Sequence, residues 1–459
     1  MTPEGLTRFH TIFLTARYVP SIALAKNFGV SAEIVGDLKL APQPLDTEDL
    51  AVGSSGLASR RDVSIAEPKD SMKWVSVPTR RNSISIGSAS PTSPNLGEHV
   101  PATPASATVW LPKNRQYLRE IADAYFNRLN FHRPVFIRSQ FEQKLALLYD
   151  GQLLPHDPGF VCSVYLVLAL GTLSELNHLA HERENNSSAP TTSGPPGALM
   201  PPDWPGHEEI FARALAVKPE LRVTVSSLQA LILLHWYLYT ERQGRTLWRL
   251  VGSMVRLAIE LGLHHDPTPP PSSAIHDPNS PAPPPTPQFS DDEVQLRIRL
   301  WSIVVLHDRG TSILLGRPLA IAPSDSNTPR PVRGKGGDIS EHFVLSAPIA
   351  EIQADIINSL YIPTTQSADT IMRHAKRIIM SMVEFRRQLP EAYKWFFSGT
   401  ESWPTEKRSK LVQDISEDQG LTLLKIGITR ILLLRALFSS NAMPYAYRFR
   451  ALVDGKSSS

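Results

Sequence analysis

The side chains of this 459-residue chain that could do chemistry fall in a few short runs. The first is His264-His265-Asp266, three metal-ligating types in a row. Adjacent histidines rarely converge on one ion, and no third ligand follows at useful spacing. The run therefore reads as a polar helix exit, with His264 packed or bonded to a terminal carbonyl, and no metal ligand is assigned. The second run is His307-Asp308-Arg309, followed by Gly316-Arg317-Pro318. An acid near a helix C-terminus is unfavourable with the macrodipole, so Asp308 needs a cation, and Arg309 and Arg317 are the nearest candidates. A carboxylate-guanidinium pair there would fix the turn. Gly316 permits a positive φ, and Pro318 prevents the helix from continuing.

The single cysteine, Cys162, lies in the apolar run Phe160-Val161-Cys162-Ser163-Val164 and reads as a small core residue. One cysteine excludes a disulfide within the chain and a multi-cysteine zinc site. Arg333-Gly334-Lys335-Gly336-Gly337 lacks the strand and helix that a phosphate loop requires. No nucleophile elbow or paired-carboxylate motif stands out, so no catalytic residue is assigned and an enzyme is not expected. Ser83, after Arg80-Arg81-Asn82, resembles a basophilic kinase site, and Ser90-Pro91 and Ser93-Pro94 resemble proline-directed sites.

The elements that must position these residues are helical. Residues 1–109 are expected to be disordered or irregular, because 36–109 are rich in Ser, Pro, Thr, Ala and Gly with few aromatics. Folded structure is expected from Trp110. Helical spacing of Leu118, Ile121, Tyr125 and Leu129 predicts a helix from Pro112 to Phe131. Ser139 with Glu142 resembles a capping box opening the next helix, and Ser290 with Glu293 another. The runs 157–181 and 224–242 are apolar on nearly all sides and belong in a core. Residues 245–261 carry one apolar face and stop at Gly262. Further helices are expected at 207–217, 343–361, 367–389 and 419–440. Residues 266–290 hold 10 prolines in 25 positions and read as an extended insertion. Trp248 and Trp301 are expected as core anchors. No β-alternation stands out, and the best membrane candidate, 160–173, has the length of a core helix. The expected fold is all-α, a bundle of about ten helices over 110–440 with a tail at 441–459.

Three segments, taken together, resemble the fungal-specific transcription factor domain, the middle homology region of zinc-binuclear-cluster regulators of the xylanolytic-activator type. Tyr125-Phe126 and His132-Arg133-Pro134-Val135-Phe136 match its opening. Gly252, Arg256, Ala258 and Leu261-Gly262-Leu263-His264 match its central helix end. Arg299-Leu300-Trp301, His307-Asp308-Arg309 and Gly316-Arg317-Pro318 match its third segment. The resemblance covers about residues 112–440. Ser302 stands where the family often has a second Trp, and the insertion after His264 is long.

The resemblance implies a transcription regulator in the nucleus, controlled through a small-molecule effector or through other regulators and co-regulators, with homodimerisation open. The family reads DNA through a six-cysteine zinc cluster. No residues here match it, so zinc is expected only if such a cluster lies upstream, and DNA contact only through that cluster or a partner. The alternative is a helical scaffold or adaptor without a promoter role.

Lys+Arg 47 against Asp+Glu 44 leaves a net charge of +3, too balanced for a phosphate-neutralising surface. Titration of the purified chain against randomised duplexes at physiological salt is therefore expected to show no sequence-selective binding. Tight, selective binding would contradict this reading.

Overall fold

The computed structural model describes residues 67–68, 70–80, 106–152, 154–185, 199–218, 221–240, 244–268, 289–334, 338–397, 400 and 402–439. Ser83, Ser90, Ser93, the tail 441–459 and residues 269–288 of the proline-rich insertion lie outside them. The described residues form two compact units. One holds the described residues up to Asn130 and from Phe136 to Tyr237. The other holds Phe131–Val135 and the chain from Leu238 onward.

The first unit contains β1 (Trp74–Arg80), β2 (Ser106–Pro112), α1 (Arg115–Tyr125), α2 (Arg138–Tyr149), α3 (Pro158–Asn185), α4 (His207–Val217) and most of α5 (Val225–Thr240). A π-helical turn, Phe126–Asn130, continues α1. Helix α3 is the core element the sequence predicts: Val161–Leu170 are buried on every side. It is long and apolar enough to cross a membrane, but 72% of that window is buried inside the protein. Cys162 is a core residue whose thiol donates to the Ala214 carbonyl at 3.4 Å. Burial pushes that thiol up to about 12, against a smaller lowering by Lys218.

The hairpin corrects the expectation of an irregular 1–109 and of a chain without strands. β1 and β2 pair antiparallel, Trp74 opposite Pro112 and Arg80 opposite Ser106. Residues 107, 109 and 111 of β2 turn inward with period two, but β1 buries Trp74, Val77 and Thr79 out of phase and contains Pro78. That broken alternation, within a Ser- and Pro-rich stretch, hides the strand. Tertiary contacts hold it instead. The Trp74 indole N–H donates to Glu209 of α4 at 2.9 Å, and the Arg213 guanidinium lies 4.6 Å from a Trp74 ring centroid. Tyr165 of α3 donates to the Trp110 carbonyl at 2.7 Å.

The second unit contains α6 (Gly244–Glu260), α7 (Asp291–Leu315), α8 (Glu341–Leu360), α9 (Ala368–Gln388), α10 (Glu391–Lys394), α11 (Thr405–Gln413) and α12 (Glu417–Ser439). Ile349, Ile356, Ile378, Phe385, Leu432 and Leu433 share one core among α8, α9 and α12. Side-chain oxygens open three of these helices. Ser290, Ser340 and Ser367 accept from the backbone N–H groups of Glu293, Phe343 and Thr370. The second half of the Ser290 box is absent, because Glu293 accepts from Arg297. The Ser139 box is absent too: Ile137 is the N-cap of α2, without a side-chain cap, and Glu142 accepts from Arg138 at 2.6 Å. Arginine one turn away competes for both glutamates.

Helices α1 and α3 approach closely at Gly171. A Cβ there would lie 2.5 Å from the Ile121 carbonyl oxygen. Gly171→Ala is therefore expected to destabilise the chain by about 1–3 kcal/mol through overpacking, despite alanine's higher helix propensity. Urea unfolding checks this, and an unchanged midpoint would mean the helices shift apart at no cost.

Candidate functional site

The sequence motifs from Gly262 to Pro318 come together at the exits of α6 and α7. Both helices stop on a left-handed glycine, Gly262 at φ 70° and Gly316 at φ 62°. Both stops close with a bond from the next residue's N–H: Leu263 to the Ala258 carbonyl and Arg317 to the Ser312 carbonyl, each at 3.0 Å. An L-residue with a side chain would be strained at either glycine. The two exits then turn onto a common strap, residues 318–328. The carbonyls of Leu263 and His264 accept from Thr328 Oγ1 at 2.7 Å and from the Asn327 N–H at 3.1 Å. The Asp266 N–H donates to Asn327 Oδ1 at 2.9 Å. Arg297 of α7 donates to the Leu261 carbonyl at 3.2 Å.

Asp308 fastens the strap to α7. Its side chain is buried, with the residue 1% exposed. Oδ1 accepts from the Ala320 N–H at 3.0 Å and Oδ2 from the Ile321 N–H at 3.2 Å. Oδ2 also pairs with the buried guanidinium of Arg309. Burial pushes the Asp308 carboxyl up, against the opposing pull of the Ala320 N–H and Arg309. Burial likewise pushes Arg309 down, against Asp308. Ser312 adds a bond from its hydroxyl to the Pro318 carbonyl at 3.2 Å.

The expected partner Arg317 takes another place. Its guanidinium lies 5.5 Å from a Trp248 ring centroid, on α6. Asp308 sits two turns before the end of α7, where the macrodipole is weak, and the strap's backbone meets it first. Trp301 is a core anchor as expected, but Trp248 is 45% exposed and serves as a platform for Arg317. His264 is packed: its ring centroid lies 3.8 Å from that of His265 and 6.2 Å from Trp301. Burial, then His265, holds its imidazole below the ordinary range. Nothing local in the sequence marks Asn327, Thr328 or Arg297, whose partners lie far along the chain.

The motif residues thus position backbone, with Trp301, His307, Asp308 and Arg309 buried. A separate groove of about 700 Å³ runs along α8 and α9, lined by Glu351, Asp355, Arg377, Met380 and Phe385 among others. Arg330 and Arg377 pair with Glu351 and Asp355 along it. It offers mixed charge over an apolar floor.

Residues 122–362 match the fungal specific transcription factor domain, and the chain belongs to that family. It is similar to an uncharacterized transcriptional regulatory protein of Schizosaccharomyces pombe, 26% identical over 56% of this chain and 29% of the relative. It is also similar to the positive regulator of purine utilization of Emericella nidulans, 23% identical over 51% of this chain and 24% of the relative. A third relative is the Zn(2)-C6 fungal-type transcription factor mpsB of Macrophomina phaseolina, 22% identical over 60% and 33%. The chain thus spans about a quarter to a third of the length of these relatives. No solved structure matches it. The one cysteine, buried Cys162, does not fit a Zn(2)-C6 cluster.

Asp308→Ala would leave Arg309 buried without its counter-charge and is expected to cost about 3–5 kcal/mol. Arg317→Ala, losing a half-exposed cation–π contact, is expected to cost about 0.5–1 kcal/mol. Denaturation of the single and double variants should show additivity for Asp308 with Arg317, and coupling for Trp248 with Arg317. A coupling between Asp308 and Arg317 above about 0.5 kcal/mol would instead mark a direct pair.

Proposed function

We propose that this chain is the part of a nuclear transcription regulator that controls activity, through an effector or through contacts with other regulators. DNA reading comes from a zinc cluster outside these residues or from a partner. The observation that carries this reading is the family match over residues 122–362, within which the motif residues Trp301, His307, Asp308 and Arg309 are buried along α7. That arrangement contains a braced scaffold and no paired nucleophile and base, which suits binding and transmission better than catalysis. The groove along α8 and α9 supports the protein-contact route, since an apolar floor with charged walls is what a partner segment requires.

Fusing the whole chain to an unrelated DNA-binding domain tests the proposal. The fusion is expected to change transcription of a reporter carrying that domain's site, up or down, and to accumulate in the nucleus. A fusion that is expressed, folded and bound at the site yet leaves the reporter unchanged under all growth conditions would favour a scaffold without a promoter role.

A further inference from the structure

Helix α12 (Glu417–Ser439) is apolar on two opposite sides, and the fold of the second unit uses one of them. Ile426, Leu433 and Leu437 face inward and join the core shared with α8 and α9. On the other side Leu424, Ile431 and Phe438 follow at heptad spacing and are 42%, 53% and 40% exposed. Half-buried Ile428 and Leu434 lie between them, and the stripe carries no charge until Arg435. A helix that is apolar all round is ordinarily covered all round, as α3 and α5 are in this chain. α12 instead leaves an apolar seam about 21 Å long, the rise from residue 424 to residue 438.

Gly427 sits within this seam. Glycine weakens a helix interior, so its place there needs a reason. The single chain supplies none. Gly427 does not adopt a positive φ, and a Cβ there would meet nothing within 4 Å among the described residues. It is a hole without a knob. The order of residues along the seam says what fills it, because that order reads alike from both ends. Ile431 is its centre, with Leu424 and Phe438 equally far to either side. A second α12 laid antiparallel across a two-fold axis at Ile431 sets Leu424 against the partner's Phe438 and Ile431 against its own counterpart. The partner's Leu434 then falls over the hole at Gly427. Arg435 falls beside the partner's Ile428, which its aliphatic stem can cover while the guanidinium stays in water. The two Arg435 residues are about 12 Å apart along the axis, so their charges are largely screened from each other.

We infer that the outer face of α12 is a self-association surface, on which a second copy of this chain docks antiparallel about Ile431. This goes beyond the regulatory reading and does not depend on it. Two helices packed along such a seam bury on the order of 1,000 Å² in all, the low end for a specific interface. The pairing is therefore weak and concentration-dependent, and it tightens when two chains are held near each other.

Sedimentation equilibrium of the full chain from about 1 to 300 μM tests this, because an interface of that size assembles in the weaker range. A monomer–dimer equilibrium is expected. Ile431→Glu brings two like charges together on the axis and is expected to weaken the dimer about tenfold or more, leaving the melting temperature of the monomer unchanged. Gly427→Leu fills the hole that the partner's Leu434 needs. Nothing in the single chain meets the added side chain, and leucine suits a helix better than glycine. This variant is therefore expected to fold at least as well as the parent and yet to dimerise about tenfold or more weakly.

Cross-linking gives a second readout. Ile431→Cys with a short bis-maleimide should yield a covalent dimer, whereas Met380→Cys, at an exposed position of α9, should not. The native Cys162 does not compete, because it is buried and its thiol is pushed up to about 12. A chain that stays monomeric throughout, or a dimer undiminished in both seam variants, overturns the proposal. So does a monomeric chain that Ile431→Glu destabilises, since another part of the chain then covers α12. If the tethered fusion still moves its reporter in those cases, only the dimer fails and the regulatory reading stands. A dimer beside a silent reporter would mean the reverse.

Discussion

One buried carboxylate holds the motif region together. Asp308 gives one oxygen to the Ala320 N–H and the other to the Ile321 N–H and to Arg309. Two backbone donors that would be costly to leave unpaired in a core are satisfied by the same side chain that neutralises a buried guanidinium. The strap can therefore lie flat against α7 from Pro318 onward. Asn327 and Thr328 then reach the carbonyls at the exit of α6. Removing the carboxylate would release the strap, and with it the tie between two helix exits.

The two glycine stops make this possible geometrically. A helix that ends on a left-handed residue turns sharply, and both α6 and α7 do so with the same bond closing over the last turn. The exits are thereby aimed and not left to fray. Arg317 spreads over the exposed Trp248 and joins the end of α7 to the side of α6.

The second unit treats buried charge in two opposite ways. At Asp308 and Arg309 the cost of burial is met inside the fold by a partner and by backbone donors. Around Lys425 and His342 burial and then neighbouring cations make both groups yield protons more readily.

Much of the frame could be read along the chain, because it rests on local rules. The all-apolar runs of α3 and α5, the Ser290 cap and the stops at Gly262 and Gly316 depend on residues within one or two turns. Trp301 and Cys162 were legible as core for the same reason. The order of the three motif segments identified the family, since that order is itself a property of the sequence. Tertiary structure alone decided the rest. β1 is a strand because Trp74 finds Glu209 and Arg213 far along the chain, while its own alternation is broken by Pro78. Asp308 chose Arg309 and the strap over Arg317 because backbone N–H groups 12 and 13 residues on fold back onto it. The meeting of Arg133 with Lys425, nearly 300 positions later in the chain, leaves no trace in spacing or composition. Periodicity records which face of an element is buried, but not which distant charge it is buried against.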